Sequence, residues 1–220
     1  MFRSSLDRTR FALLNAATIF VTLPALAEPV TVAALGDSLT QGFGLVPEQG
    51  FVPQMQGYLD ASELDVTLIN AGVSGDTTAG GLSRIDWTLT EEVDAVIVAL
   101  GANDMLRGLP PEQARANLDA ILSKIAARGL PALLVGIDAP PNYGAEYEQA
   151  FEAMYPDLAE QYGALYFPNF LQGLADLGDL ELVMREHMQG DRIHPNASGV
   201  ALIVEAMGPV VTELIGRADP

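Results

Sequence analysis

The sequence predicts a three-layer α/β/α domain built on a parallel sheet. Short apolar segments alternate along the chain with longer segments whose apolar residues recur at helical spacing, a pattern typical of doubly wound sheets. The segment 94–100 is apolar throughout after its first residue, as expected for a strand covered on both faces. We find no internal repeat, low-complexity tract or linker that would divide the chain, so one sheet and one core are expected.

Taken in order, the strands and helices account for most of the chain. We predict strands at residues 31–35, 66–70, 94–100, 132–137 and 165–167. We predict helices at residues 52–61, 78–90, 110–129, 145–162 and 197–215, with a possible break before Pro156 and a possible kink at Pro209. Residues 138–144 are expected to be a loop because they contain two prolines and a glycine, and residues 171–188 carry only a weak helical pattern interrupted by glycines.

The N-terminal segment, residues 1–27, has the pattern of a secretory signal peptide. Three arginines precede an apolar run at 11–23 that is too short to span a membrane, and Ala25-Leu-Ala27 has the small residues of a cleavage site. We therefore expect residues 28–220 to form a single mature domain in the periplasm or outside the cell. The alternative is that this segment is an amphipathic helix of the fold.

Composition excludes several classes of function. The sequence has no cysteine and only two histidines, which removes disulfides, thiol chemistry, a lipid-anchored N-terminus and a multi-histidine zinc site. Its formal charge of −18 would become −20 after loss of the signal peptide, and such a surface repels nucleic acids and anionic lipid headgroups. We expect a monomeric enzyme of small molecules, with no nucleic-acid partner and no stable membrane anchor.

Polar residues follow three of the predicted strands. Gly36-Asp-Ser38, Gly72-Val-Ser74 and Gly101-Ala-Asn103 each begin where an apolar run stops. The carboxyl ends of parallel strands lie at one edge of a sheet, where ligands bind in open α/β folds. We therefore expect the three loops to meet around Ser38.

A base and an acid for this serine occur near the end of the chain. Asp191 and His194 are three residues apart, so one turn of chain can place the carboxylate against one imidazole nitrogen and leave the other nitrogen facing Ser38. A serine hydroxyl becomes a nucleophile when a base takes its proton and a third group orients that base. Acyl transfer also needs hydrogen-bond donors for the oxyanion, and the Ser38 and Gly72 N–H groups with the Asn103 amide are the candidates.

Together these segments resemble the SGNH, or GDSL-type, serine hydrolases, in particular the secreted bacterial thioesterase I, lysophospholipase and arylesterase group. The matching blocks occur in the family's order: Gly36-Asp-Ser-Leu39, Gly72 within Asn70-Ala-Gly-Val-Ser74, Gly101-Ala-Asn-Asp104 and Asp191-Arg-Ile-His194. The resemblance implies a five-stranded flavodoxin-like sheet of order 2-1-3-4-5. It also implies hydrolysis of an ester, thioester or lysophospholipid without a metal or other cofactor.

A groove for the acyl or aryl group of the substrate is expected beside the segment Gly101-Ala-Asn-Asp104. Its walls would come from apolar and aromatic residues after the third and fourth strands, although ordinary packing under loops explains the same residues. The candidates are Met105, Leu106, Leu109, Pro140 and Tyr143.

Other interpretations remain open at this level. The Gly-x-Ser-x-Gly motif of α/β-hydrolases is not present, because Thr40 stands at the position of its second glycine. Asp37 and Asp104 can be structural braces of their loops, and His187, which has no acid three residues before it, is expected at the surface. Rival functions are a carbohydrate O-deacetylase of the same superfamily and a periplasmic protein that binds a lipid or sugar without turnover.

Overall fold

Residues 29–218 are described by the computed structural model, and their five strands form one sheet. The strands are β1 (Val30–Gly36), β2 (Val66–Gly72), β3 (Ala95–Ala99), β4 (Ala132–Val135) and β5 (Leu165–Phe167). Their order is β2-β1-β3-β4-β5 and every neighbouring pair is parallel. This confirms the predicted fold class and strand order. The signal-peptide prediction for residues 1–27 lies outside the described residues.

Helices cover both faces of the sheet. They are α1 (Ser38–Gln41), α2 (Phe51–Ala61), α3 (Thr78–Thr88), α4 (Ala102–Leu106), α5 (Pro111–Ala127), α6 (Ala145–Tyr162), α7 (Gln172–Ala175), α8 (Leu180–Leu182) and α9 (Ala197–Arg217). A π-helical segment, Val183–His187, follows α8, and short 3₁₀ turns occur at Pro47–Gln49 and Pro141–Tyr143. The last of these turns lies inside the stretch predicted to be irregular.

Alternate residues of β1 face two separate cores. Val32 and Ala34 pack with α2 and α9, whereas Ala33 and Leu35 pack on the other face with residues of α3, α5 and α6. All four are buried, which is the period-two pattern of a strand in the middle of a sheet. The strand that ends at the candidate nucleophile is therefore held on both faces.

Two prolines lie inside continuous helices. Pro156 in α6 and Pro209 in α9 were sites of a possible break or kink, but both helices run through them. Both prolines are exposed, so the carbonyl deprived of its N–H partner can bond to water while the opposite face packs on the core. Within the described residues, α9 is also the helix long and apolar enough to cross a membrane, yet half of its apolar stretch is buried in the fold.

Strand register brings the polar loops to one edge. Gly36 pairs with Gly72 on one side and with Ala99 on the other, so β1, β2 and β3 end at the same level. The chain after each strand, including Ser38 and Asn103, therefore leaves the sheet at this edge.

Candidate active site

A chain of hydrogen bonds links the three residues expected to form a catalytic triad. Ser38 is the first residue of α1, immediately beyond β1, and its Oγ lies 2.9 Å from Nε2 of His194. On the other side of the ring, Nδ1 lies 2.6 Å from Oδ2 of Asp191. The His194 side chain is only 16% exposed. Ser38 and His194, which are 156 positions apart in the sequence, are therefore within hydrogen-bond distance of each other.

The loop that carries the acid and the base is shaped by Asp191 itself. Its Oδ1 accepts hydrogen bonds from the backbone N–H groups of Ile193 and His194. Arg192, which follows Asp191, adopts a left-handed conformation with φ of 62°. The hydrogen bond with His194, followed by those from the two N–H groups, lowers the pKa of Asp191 to about 2. The carboxylate therefore stays ionised throughout the neutral pH range.

The side chain of Gln189 joins this loop to the chain after α1, near Phe43. Gln189 donates from its backbone N–H to the His194 carbonyl at 2.8 Å, and its Nε2 donates to the carbonyls of Phe43 and Pro195 at 2.7 and 3.0 Å. The Phe43 ring packs on the imidazole with centroids 4.6 Å apart. The position of the imidazole thus depends on packing and on backbone contacts as well as on Asp191.

The structure corrects the expected role of Gly72. The N–H group of Gly72 donates to Oδ1 of Asn70 at 3.0 Å, and the residue does not line the cavity beside Ser38. A Cβ at this position would lie 2.4 Å from the backbone nitrogen of Gln41, so the glycine is needed for close packing against α1. The glycine of this segment that lines the cavity is Gly75, which has φ of 84° and lies beside Ser74, another lining residue.

Three residues that line the cavity have a hydrogen-bond donor without a partner among the described residues. Within the described part of the chain, the backbone N–H groups of Ser38 and Gly75 make no hydrogen bond. Asn103, in α4, uses Nδ2 to donate to Oδ2 of Asp37 at 3.2 Å, which leaves its second amide hydrogen available. Ser38, Gly75 and Asn103 all line the same cavity.

The turn that contains Gly75 is attached to the helix of the nucleophile. The side-chain oxygen of Gln41, in α1, accepts hydrogen bonds from both the backbone N–H and the hydroxyl of Ser74. The Gly75 carbonyl accepts from Nη2 of Arg107 at 2.7 Å. The turn is therefore held from both sides.

Two buried carboxyl groups brace the loops after β1 and β3. Asp37 is 2% exposed; burial raises its pKa to about 6, although hydrogen bonds from the Leu39 N–H and the Asn103 amide oppose the shift. Asp104 is 1% exposed, and its two oxygens accept from the N–H and the hydroxyl of Thr78 at 2.8 and 2.7 Å. Both carboxyl groups contact neighbouring loops, as expected for structural braces.

An apolar cavity of about 280 Å³ opens beside Ser38 and His194. Of the five predicted groove residues, Met105 and Leu106 line it. Leu109, Pro140 and Tyr143 do not: the carbonyl of Leu109 accepts from Tyr147, and Tyr143 packs on Tyr147 with ring centroids 4.9 Å apart.

Sequence reasoning missed six apolar residues of this cavity. Ile137 and Leu171 lie just beyond β4 and β5, so the rule that ligands bind at the carboxyl ends of parallel strands could have identified them. The other four are close in sequence to Ser38, Asn103 or His194: they are Leu39, Phe43, Ala102 and Ile193.

The second histidine is not part of this arrangement. Nδ1 of His187 lies 2.9 Å from the hydroxyl of Ser198, near the start of α9. Ser198 also contacts the Glu186 carbonyl and the Asn196 side chain, as expected at a helix N-terminus. Among residues 29–218, no cluster of His, Asp and Glu side chains has the arrangement of a metal site.

Comparison with known proteins assigns the family. A model of the GDSL-like lipase/acylhydrolase family matches residues 34–202. The esterase TesA of Pseudomonas aeruginosa is 37% identical over 94% of this chain and 100% of its own length. The Escherichia coli protein named thioesterase 1/protease 1/lysophospholipase L1 is 33% identical over 85% of this chain and 86% of its own. A solved structure of the psychrotrophic esterase EstA from Pseudoalteromonas sp., inhibited by monoethylphosphonate, is 35% identical with a TM-score of 0.75 and covers 84% of this chain and 98% of that one. The chain therefore belongs to the GDSL-like lipase/acylhydrolase family and is an ester hydrolase.

Proposed function

We propose that the chain hydrolyses carboxylic esters and thioesters through an acyl-enzyme on Ser38, with His194 as general base and acid and Asp191 as its orienting carboxylate. The observation that carries this assignment is the unbroken series of hydrogen bonds from Ser38 Oγ through the imidazole to Asp191, at 2.9 and 2.6 Å. A base within about 3 Å of the nucleophile, itself held by a third group, meets the geometric requirement for covalent catalysis.

In the acylation step, Ser38 Oγ forms a bond to the acyl carbon as Nε2 of His194 takes the hydroxyl proton. The imidazolium that results is stabilised by Asp191, which keeps Nδ1 protonated and aimed at its carboxylate. The bond to the leaving alcohol or thiol then breaks, and His194 returns the proton to that group. In deacylation, Nε2 of His194 takes a proton from a water molecule as the water oxygen forms a bond to the acyl carbon. The bond between that carbon and Ser38 Oγ then breaks, His194 returns the proton to Oγ, and the carboxylic acid leaves.

The developing oxyanion would be bound by the N–H groups of Ser38 and Gly75 and by Nδ2 of Asn103. In support of this assignment, all three residues line the cavity and each has a hydrogen without a partner among the described residues. Loss of one donor of this kind costs about 3–4 kcal/mol of transition-state stabilisation.

The apolar cavity supports acyl substrates with a hydrocarbon chain. Met105, Leu106, Ile137 and Leu171 lie on its walls, and each CH₂ group buried there contributes ~0.8 kcal/mol at most. We include acyl thioesters and lysophospholipids among the substrates, because the related Escherichia coli protein carries those names. A series of esters and thioesters of increasing chain length would rank these classes.

We further propose that the mature chain acts in the periplasm or outside the cell as a monomer without an anchor. The arginines and apolar run of residues 1–27 support export. The formal charge of −18 supports a surface that repels other copies of the chain and anionic headgroups.

Replacement of the nucleophile tests the proposed function. We expect Ser38→Ala to lower kcat for a p-nitrophenyl ester by at least about 10⁴-fold and to abolish labelling by a fluorophosphonate. Ser198→Ala is the matched control, because Ser198 also contacts a histidine, and it should keep both turnover and labelling. Wild-type turnover by Ser38→Ala would contradict the proposal, and an unlabelled wild-type protein would favour a binding function.

A further inference from the structure

One guanidinium group joins the ends of two strands to the turn that contains Gly75. Arg84, in α3, donates from Nε to Oδ2 of Asp76 at 2.6 Å, from Nη1 to the carbonyl of Ala71 at 2.6 Å and from Nη2 to the carbonyl of Gly36 at 2.8 Å. The side chains of this ion pair are 20% and 19% exposed. All three nitrogens of one planar group are therefore used in a half-buried position.

The three acceptors are close in sequence to groups of the proposed oxyanion site. Gly36 ends β1 and lies two residues before Ser38, whereas Ala71 is near the end of β2, in the segment that continues to Gly75. Asp76 follows Gly75 directly. A displacement of Arg84 would change the distance between the Ser38 and Gly75 N–H groups, which come from different strands.

Two kinds of contact besides those of Arg84 join these segments, and neither holds the Asp76 carboxylate. The side-chain oxygen of Gln41, in α1, accepts from the N–H and the hydroxyl of Ser74. Beyond the paired strand ends, one backbone bond, from the Val73 N–H to the Gly36 carbonyl at 3.0 Å, joins β1 to the turn. The turn then bends away through the left-handed Gly75. A rigid guanidinium fork can fix both carbonyls and the Asp76 carboxylate at once, whereas a lysine ammonium is a single point charge on a flexible stem.

The remaining carboxylate-paired cations of the described chain differ from Arg84. The other arginine and lysine pairs are Arg115–Asp157, Lys124–Asp86, Arg185–Glu186 and Arg217–Glu213, and all eight side chains are more than 40% exposed. Such surface pairs contribute little. Arg84 thus combines partial burial, a carboxylate partner and two backbone acceptors at the edge of the sheet that carries the chemistry.

We propose that Arg84 is a positioning residue that sets the spacing of the oxyanion donors of Ser38 and Gly75 through Gly36, Ala71 and Asp76. The inference rests on the proposed function, because it assigns a role within the same oxyanion site. Arg84 itself contacts no substrate. Since a misplacement of about 1 Å can cost about 100-fold in rate, loss of its fork should act on the transition state more than on substrate binding.

The test compares Arg84→Lys with the wild-type protein on an ester and on the matching thionoester. Sulfur is a larger and weaker acceptor than oxygen, so correctly spaced donors favour the ester, and their displacement lowers the ratio of the two rates. We expect kcat for the ester to fall about 10- to 100-fold, KM to stay within about twofold and the ester-to-thionoester ratio to fall at least about fivefold. Arg115→Lys, the same change at an exposed ion pair, should leave all three values unchanged.

The ratio separates positioning from a general loss of folded enzyme. Partial unfolding lowers both rates equally, so an unchanged ratio in folded Arg84→Lys would overturn the inference. Should Arg84→Lys not fold, Asp76→Asn decides, because it loosens the Gly75 side of the network and leaves the two carbonyl contacts intact. A fall of the ratio in that variant supports the inference and an unchanged ratio overturns it. Failure of the proposed function is distinguishable, since wild-type turnover would then survive Ser38→Ala.

Discussion

Asp37 is next to Ser38 in the sequence, but its carboxyl makes no hydrogen bond to Ser38 Oγ or to the His194 imidazole. Its two oxygens accept from the Leu39 N–H at 3.0 Å and from the Asn103 amide at 3.2 Å, while burial raises the pKa of the carboxyl to about 6. Desolvation therefore outweighs two hydrogen bonds that favour the ionised form. Ionised Asp37 holds Asn103 in place at a cost in stability.

That cost predicts a pH dependence of folding. Between about pH 4 and pH 6 the native chain keeps the Asp37 proton that the unfolded chain releases, so the free energy of unfolding falls as pH rises through this window. Asp37→Asn cannot lose a proton. We expect the free energy of unfolding of the variant, relative to the wild type, to rise by up to ~3 kcal/mol from pH 4 to pH 7 in urea titrations.

A surface carboxyl provides the control for this measurement. Asp86→Asn removes a carboxylate whose side chain is 69% exposed and paired with Lys124, and it should change little over the same pH range. A difference between Asp37→Asn and the wild type that stays constant from pH 4 to pH 7 would show that Asp37 is ionised equally in both states.

At the residue scale, the sequence singled out the three residues that the structure joins by hydrogen bonds, but it named Gly72 where Gly75 lines the cavity. Ser38, Asp191 and His194 could be chosen because each has few alternatives: one serine follows the first strand, and one histidine has an acid three residues before it. Gly72 and Gly75 are both glycines of the same segment. The choice between them depends on which N–H the Asn70 side chain occupies, and that contact appears only in three dimensions.

At the scale of elements, α9 anchors the loop that carries His194. The helix begins two residues after Pro195, and its cap residue Asn196 accepts from the N–H groups of Ser198 and Gly199. Further along, Gly208 lies against the ring of Tyr58 in α2, where a Cβ would come within 2.4 Å of ring carbons. The close approach of α9 to α2 therefore requires that residue 208 have no side chain.

Two glycine substitutions in α9 should have opposite effects. Gly208→Ala must push α9 away from Tyr58, and we expect a loss of about 1–3 kcal/mol, the usual cost of overpacking. Gly216→Ala meets no atom within 4 Å and should stabilise the protein by a few tenths to ~1 kcal/mol through its helix propensity. Thermal and urea unfolding measure both variants, and equal effects at the two positions would contradict the packing argument.

The elements that were predicted well are those with a strong local pattern. All five strands and the long helices were recognised because their apolar periodicity is pronounced. The possible interruptions at Pro156 and Pro209 did not occur, because packing of the opposite helix face overrides the local penalty of an exposed proline. Residues 171–188 form α7, α8 and a π-helical segment, whose short lengths give no readable period.

For the whole molecule, strand order determines where the residues of the proposed active site meet. With β1 next to both β2 and β3, the segments after these three strands are adjacent at one edge of the sheet, and the chain returns through α9 only after the His194 loop has crossed that edge. Alternation of strands and helices predicted a parallel sheet, and thus a common edge. The same topology places the segments after β4 and β5, with Ile137 and Leu171, at this edge. Which of their side chains line the cavity depends on loop conformations that no short motif specifies.

The overall charge sets the approach of substrates. The chain carries 29 acidic and 11 basic residues, so its long-range field is strongly negative, although Arg107 and Arg192 lie close to cavity residues Gly75 and Ile193. At 0.1 M salt, the interaction between exposed charges more than about 10 Å apart is largely screened, so a substrate in the cavity interacts mainly with charges close to it. The relative weight of the whole surface and of these two arginines can be measured.

That measurement compares the salt dependence of kcat/KM for esters that share one acyl group and differ in the charge of the leaving group. We expect kcat/KM to fall severalfold for a choline ester and to rise severalfold for an anionic ester as the ionic strength increases from 10 to 200 mM, because salt screens a field that attracts cations and repels anions. A neutral ester should stay constant and controls for effects of salt on the enzyme itself. If the anionic ester instead loses activity with salt, the local arginines outweigh the net charge of −18, and the cavity mouth is a site that attracts anions.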